Sequence, residues 1–277
     1  ITFKSMKNRP ISMERITLAK HIAKEVGTEL LSNYWRKQKG NTTGKKGISH
    51  GWVTQGDLKS DAMIVKAIKQ AFPRDGIISE ESDSTKTESG IIWIIDPIDG
   101  TTNFSRGGYN WSIAIAYITK DDVQGCVIYA PALNLFYYAE KGKGAYEESM
   151  HGTTKLDVST KDTIENAIAH FNAGFEDKPN HEILKNNMDK LWQFRYRMEE
   201  SAQLEFAKIA AGVSDYYLSH AELPWDHAAG ALLIQEAGGK VTTWGKDIYI
   251  PTENGILATN KHLHQKIIKT LGDLYAR

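Results

Sequence analysis

The stretch Asp96-Pro97-Ile98-Asp99-Gly100-Thr101-Thr102-Asn103-Phe104 holds the densest set of residues that could do chemistry. Two carboxylates bracket Pro97, whose ring fixes one backbone torsion between them. Asp96 closes the apolar run Ile91–Ile95, and Asp99 follows three residues on, so both can surround one point. Gly100 permits a close backbone approach, and Thr101-Thr102 suit the first turn of a helix. The N–H groups of such a turn would face an anion. Carboxylates for a hard cation, set beside N–H groups for a phosphate, are a layout for metal-assisted phosphoryl chemistry. The competing reading is a strand-to-turn Asx motif without a ligand; the added Gly-Thr-Thr and the apolar strand weaken it.

The elements that must carry these residues can be read from periodicity. Ile16, Ile22, Val26, Leu30 and Leu31 recur near the helical period from Met13, and this helix is expected to fade near Lys39-Gly40. Gly40–Gly51 reads as a Gly- and Thr-rich loop with two lysines. A second helix is expected from Asp57 to Phe72, stopped by Pro73. Gly76–Ile78 reads as a short strand leading to Glu80. Ile91–Ile95 reads as a strand buried on both faces. Trp111–Thr119, Gln124–Tyr129 and Leu135–Glu140 suggest an antiparallel meander. Beyond it the pattern predicts a strand at Ala167–Phe171 and helices at Glu182–Trp192, Ser201–Ala211 and Asp226–Ala237. A strand at Gly255–Ala258 and a helix at His262–Leu274 complete it. No repeat or linker divides this pattern, so stacked α and β layers in one unit are expected over 13–277. Residues 1–12 are read as an extension outside it.

Composition sets limits. The chain has 277 residues, 34 Lys+Arg against 34 Asp+Glu, 41% hydrophobic and 25% charged residues. That is globular composition, and the zero net charge argues against general nucleic-acid binding. No apolar run reaches the ~18 residues of a membrane span, and the N-terminal stretch lacks the apolar core of a signal peptide. Cys126, the single cysteine, excludes an intramolecular disulfide and cysteine-rich zinc sites, and its apolar flanks suggest a buried packing role. A cytoplasmic location is the expectation from this cysteine poverty.

Trp93–Phe104, WIIDPIDGTTNF, resembles the central motif of the inositol monophosphatase family of magnesium-dependent, lithium-sensitive phosphatases. Three further stretches agree in order and spacing: Asp57 in TQGDLKSD, Glu80 in ISEES, and Asp226 in WDHAAGALLIQEAGG. The resemblance runs from about Met13 to the C-terminus. It implies an α+β fold, the layered αβαβα sandwich shared with fructose-1,6-bisphosphatases. By similarity Asp96 bridges two metal ions, Glu80 and the carbonyl of Ile98 complete the first site, and Asp99 and Asp226 complete the second. A third, weaker ion at Glu80 is also implied. Thr101, paired with Asp57 and assisted by Glu80, would activate the attacking water. The N–H groups of Gly100, Thr101 and Thr102 would hold the phosphate, with Asp99, Asp226, Ser201 and Lys46 as further substrate contacts. For Lys46 a solvated loop charge is an equal alternative. All-oxygen ligation suits Mg²⁺ or Mn²⁺ rather than zinc.

Neighbouring residues are weighed against these. Strand alternation sends Glu81 to the face opposite Glu80. His227 reads as a surface or packing histidine. Glu199 and Glu200 precede a helix and suit its dipole, although Glu200 stands where the family carries Gly. Ser219 falls at the position of the family's ring-binding glutamate, with Glu222 offset by three residues. The resemblance thus implies hydrolysis of a small phosphomonoester, inositol 1-phosphate or another polyol or sugar phosphate. The alternatives are 3′-phosphoadenosine 5′-phosphate, fructose 1,6-bisphosphate and histidinol phosphate. A homodimer is implied, and a regulatory partner in the transcription machinery is the reading of another class.

Overall fold

The computed structural model describes residues 14–36, 43–44, 52–120, 122–171, 195–272 and 275. The expected extension at 1–12, Lys46 and the helix expected at Glu182–Trp192 lie outside the described residues.

Helix α1 (Arg15–Asn33) buries Ile16, Ala19, Ile22, Ala23, Val26 and Leu30 along one stripe. It stops short of the expected Lys39. The N–H groups of Tyr34 and Trp35 both donate to Leu30 O, and Arg36 turns into the left-handed region at φ 61°. Tertiary contacts hold that turn: Trp35 Nε1 donates to Gly108 O at 2.9 Å, and the Arg36 guanidinium covers the Trp35 and Tyr109 rings. A short β1 (Thr43–Gly44) pairs antiparallel with β2 (Trp52–Val53).

Helix α2 (Gln55–Ala71) begins two residues before the expected Asp57, because Thr54 and Asp57 form a capping box. Its apolar side packs with α1 on the first face of a seven-stranded sheet, ordered β3-β4-β5-β6-β7-β8-β9. The strands are β3 (Gly76–Ser79), β4 (Ile91–Asp99), β5 (Ser112–Thr119), β6 (Asp122–Ala130), β7 (Leu135–Glu140), β8 (Gly144–Ser149) and β9 (Gly152–Lys155). Only β3–β4 is parallel; the rest is the expected meander, lengthened by β8 and β9. Side chains alternate across it: Ile95, Ile113 and Ile115 meet α1 and α2, while Ile94, Ala114 and Ala116 meet the opposite layer. Burial on both faces explains the near-continuous apolar runs. Cys126 is fully buried here, which raises its thiol to about 12.

Strand β4 runs past Pro97, four residues beyond the expected end at Ile95. Asp96 pairs with Ala114 and Asp99 with Ser112, so three steps on β4 match two on β5. Pro97 and Ile98 occupy this bulge, where a missing N–H costs no ladder bond. The six-residue α3 (Thr101–Arg106) follows at once.

The second half builds a five-stranded sheet, ordered β11-β10-β12-β14-β13. Its strands are β10 (Ile168–Phe171), β11 (Arg195–Arg197), β12 (Tyr216–Ser219), β13 (Lys240–Thr243) and β14 (Ile256–Thr259). Helices α4 (Ala202–Ala210) and α5 (Pro224–Glu236) lie between the two sheets, and α6 (His264–Leu271) covers the far face. The order is therefore α1α2, sheet, α4α5, sheet, α6: the αβαβα sandwich expected above. A middle-layer helix must be apolar all round, and α5 buries Ala228, Ala229, Ala231, Leu232, Leu233 and Ile234. Gly230 lets it approach α4, since a Cβ there would stand 2.4 Å from Phe206.

Candidate active site

Ser79 pairs with Ile95, and Glu80 N donates to Ile95 O at 3.3 Å, so Glu80, just past the end of β3, stands beside Asp96 of β4. Alternation places both on the same face as Ile78 and Ile94, toward α4 and α5. Ser79 faces the other way, its hydroxyl donating to Asp61 of α2 at 2.5 Å, and Ser82 donates to the same oxygen at 3.2 Å. Asp61 thus anchors both ends of the turn that carries Glu80 and Glu81.

Asp57 serves two elements. Its Oδ2 accepts the Thr54 N–H at 2.8 Å and the Thr54 hydroxyl at 2.5 Å, capping α2. Its Oδ1 lies 2.9 Å from Thr101 Oγ1, which is also 3.0 Å from Ile98 O. One hydroxyl proton serves one acceptor at a time, so the Thr101 proton is shared between these two. Burial raises Asp57 to about 6; hydrogen bonds from Thr54 and Thr101 oppose that shift, and the Glu80 charge adds to it.

Asp99 is buried after the bulge. Its Oδ2 accepts the hydroxyls of Ser112 at 2.9 Å and Ser201 at 2.5 Å, and the N–H of Gln203 at 3.2 Å. Burial raises it to about 7 against those bonds. Ser201, read from sequence as a substrate contact, is 1% exposed and directs its hydroxyl to Asp99 instead of open cleft. Asp226 sits in the first turn of α5, where Leu223 N donates to Oδ2 at 2.8 Å. Its carboxyl is raised well above the ordinary range, by burial first, then by Glu222 and Glu80. Glu80 therefore acts on Asp57 and Asp226 alike, so Glu80 and the acids of α2, β4 and α5 surround one region.

Gly100 joins the two halves. It has φ 84°, and a Cβ there would stand 2.8 Å from Asn110 O and 2.9 Å from Glu200 O. Asn103 Nδ2 donates to Glu199 O at 2.7 Å and to Glu200 O at 3.3 Å, closing that loop over α3. Glu200 itself is left-handed at φ 55°, a conformation that favours glycine. The first bond of α3 runs from Phe104 N to Gly100 O, so the N–H groups of Gly100, Thr101 and Thr102 precede its ladder.

Other expected candidates are placed differently. Ser219 is buried at the end of β12, where its hydroxyl accepts the N–H of Ala221 at 3.3 Å. His227 is the packing residue and not a surface one: Tyr249 Oη lies 2.7 Å from Nδ1 and Glu253 O lies 2.9 Å from Nε2. A carbonyl only accepts, so Nε2 carries the proton and the ring is neutral; burial lowers it to about 4. The roles of Ser112, Gln203 and Asp61 carry no sequence signal, because their partners are remote in the chain. Thr54 did carry one, the Thr-x-x-Asp spacing of a capping box.

Among the described residues no three acidic, imidazole or thiolate side chains close into a finished metal cage. The donor set nevertheless fits Mg²⁺: carboxylates and the Ile98 carbonyl are hard oxygen donors. Mg²⁺ also keeps several waters and is held by one or two carboxylates with substrate phosphate, not by an all-protein cage.

The sequence model of the inositol monophosphatase family matches residues 12–275. The chain belongs to that family. A Thermotoga maritima protein named fructose-1,6-bisphosphatase/inositol-1-monophosphatase is 34% identical over 265 residues, 95% of this chain and 97% of the relative. Escherichia coli Nus factor SuhB is 31% identical over 262 residues, 93% of this chain and 96% of that one. The solved structure of a Thermotoga maritima IMPase superposes with a TM-score of 0.81 at 30% identity, covering 95% of this chain and 98% of that one. Among the described residues no helix of this inositol monophosphatase family member is long and apolar enough to cross a membrane.

Proposed function

We propose that the chain is a divalent-cation-dependent phosphatase that hydrolyses a small polyol or sugar phosphomonoester, with inositol 1-phosphate as the first substrate to test. The observation that carries this reading is the Thr101–Asp57 hydrogen bond at 2.9 Å, set beside Glu80 after β3 and the acids of β4 and α5. Asp96, Glu80 and Ile98 O would hold one Mg²⁺, and Asp96, Asp99 and Asp226 a second. A further, weaker one belongs to Glu80, and Mn²⁺ suits the same oxygens. When bound, the cations supply charge neutralisation and acidify water.

The protein's own residues would do the rest. Thr101 gives its proton to Asp57 and turns a lone pair outward, so its Oγ can take a proton from an attacking water. Asp57 is held by two bonds from Thr54 and cannot follow the water away. Its carboxyl, raised to about 6, is matched to taking part in proton transfer near neutrality. The N–H groups of Gly100, Thr101 and Thr102 orient phosphate oxygens, and Ser112, Ser201 and Gln203 keep Asp99 in place. Lys46 is retained as a further substrate contact.

A phosphatase panel with Mg²⁺, run on wild type and Asp96→Asn, tests this reading. Turnover of polyol phosphates that the variant loses supports it; no turnover of any phosphomonoester overturns it. The similarity to the relative named Nus factor SuhB favours a second role, a protein-binding one on the same scaffold. Capture of a transcription-machinery protein by wild type and Asp96→Asn alike would support it. A homodimer in the cytoplasm completes the proposal and is checked by light scattering and fractionation.

A further inference from the structure

The loop between β12 and α5 brings a further acid to the site. Glu222 precedes Asp226 by one helical turn and is buried. The buried Tyr217 hydroxyl, on β12, donates to Glu222 Oε1. The Glu222 backbone is fastened as well: its carbonyl accepts Gly255 N at 2.8 Å. Gly255 has φ 79°, and a Cβ there would stand 2.6 Å from His220 O, so the loop is clamped by an approach that glycine permits. Asp226 folds back onto the same loop, its Oδ2 accepting the N–H of Leu223, the residue that follows Glu222, at 2.8 Å, so the two acids share one turn.

We propose that Glu222 is a positioning residue of the cation site, acting through Asp226 to strengthen the hold on a divalent ion. This rests on the phosphatase reading above. The argument is one of chemistry that is more than the fold needs. A glutamine at 222 would accept the same Tyr217 proton, keep the same length and avoid like-charge repulsion with Asp226. What the acid adds over the amide is negative charge, on the turn that already carries Asp226. Such charge is unfavourable alone and favourable beside a dication. Groups that orient and charge a metal's direct ligands commonly govern affinity by roughly 10- to 100-fold.

The test is Glu222→Gln in the full chain, with Mg²⁺ as the probe, read by calorimetric titration and by melting with and without the ion. The expected result has opposite signs in the two conditions. Without Mg²⁺ the variant melts no lower than wild type, because a repulsion is removed and the Tyr217 bond is kept. With Mg²⁺ its affinity falls roughly 10- to 100-fold and its melting point rises less. Glu222→Asp, which keeps the charge, recovers part of the affinity. Three results overturn the proposal. Equal Mg²⁺ affinity in wild type and Glu222→Gln is one. A variant that melts lower without Mg²⁺ while binding it normally shows a purely structural role. Unchanged Mg²⁺ affinity with an altered KM assigns Glu222 to the substrate. Wild type that binds no Mg²⁺ takes the proposed function down with it, which separates that failure from the others.

Discussion

Gly100 and Gly90 allow the packing around the site to be measured against an internal standard. Their φ angles are nearly the same, 84° and 82°, but their surroundings differ. A Cβ at Gly90 meets nothing within 4 Å, whereas one at Gly100 meets Asn110 O at 2.8 Å, Glu200 O at 2.9 Å and Ser201 Cβ at 3.3 Å. Alanine at either position incurs the left-handed penalty of about 1–2 kcal/mol. A less flexible unfolded chain returns about 0.4–1 kcal/mol of it. Gly90→Ala should therefore cost about 1 kcal/mol. Gly100→Ala adds an overpacking cost of about 1–3 kcal/mol, since two of its contacts are backbone carbonyls that cannot rotate aside. The expected total is about 2–4 kcal/mol, or a fall in Tm of roughly 4–8 °C at about 2 °C per kcal/mol, against roughly 2 °C for Gly90→Ala. Thermal melts of the three proteins supply the numbers. Gly100 also stands between Asp99 and Thr101, so a shift there should lower kcat by about 100-fold, while Gly90→Ala leaves kcat unchanged. Equal losses of stability in the two variants would refute the close approach of the Glu200 loop to α3.

Thr101→Ala should lower kcat by about 10²- to 10⁴-fold with Thr101→Ser far milder, and adding Asp57→Asn to Thr101→Ala should cost little more; additive losses in steady-state kinetics would mean the pair does not work as a unit. His227 supplies an acid-sensitive element. Its folded pKa of about 4 lies below the ordinary 6.5, so below that pH the unfolded chain gains a proton that the folded one refuses. Stability is then lost as pH falls from about 6.5 toward about 4, by roughly 3 kcal/mol; denaturant melts of His227→Gln, which keeps a donor for Glu253 O, should lack that part of the slope. Saturating Mg²⁺ should raise the wild-type Tm, about 2.7 kcal/mol at 100 Kd, and Asp96→Asn should show little rise. An unchanged wild-type Tm would argue against the cation site.

Elements whose burial is uniform were legible in the sequence. The stripe of α1, the two-faced run of β4 and the meander each follow from a local period meeting a layer of known face. Their ends were less legible, because remote contacts set them: Trp35 and Arg36 bind the loop after α3 and terminate α1, and the bulge against Ser112 carries β4 through Pro97 to Asp99. Strand β12 was missed because its residues, YYLS, lie buried between α4 and α6 with no alternation of polarity to mark them. Strands β8 and β9 were missed for the opposite reason, being polar or exposed along much of their length.

At the site, the sequence by itself determined the chemical types: four spaced acids, a threonine paired with Asp57 and a glycine where the chain must turn. Motif spacing conveys these because each acid sits at a strand end or in a helix's first turn, and such positions follow from local backbone rules. Tertiary structure alone decided which hydroxyls and N–H groups hold those acids. Ser201 came to Asp99 from 102 positions away, Ser219 was buried at the end of β12, and Glu222 was fixed by a tyrosine of β12 and a glycine just before β14. The physical reason is that a hydrogen bond acts over about 3 Å of space, while the residues that make it are brought together by packing of whole layers.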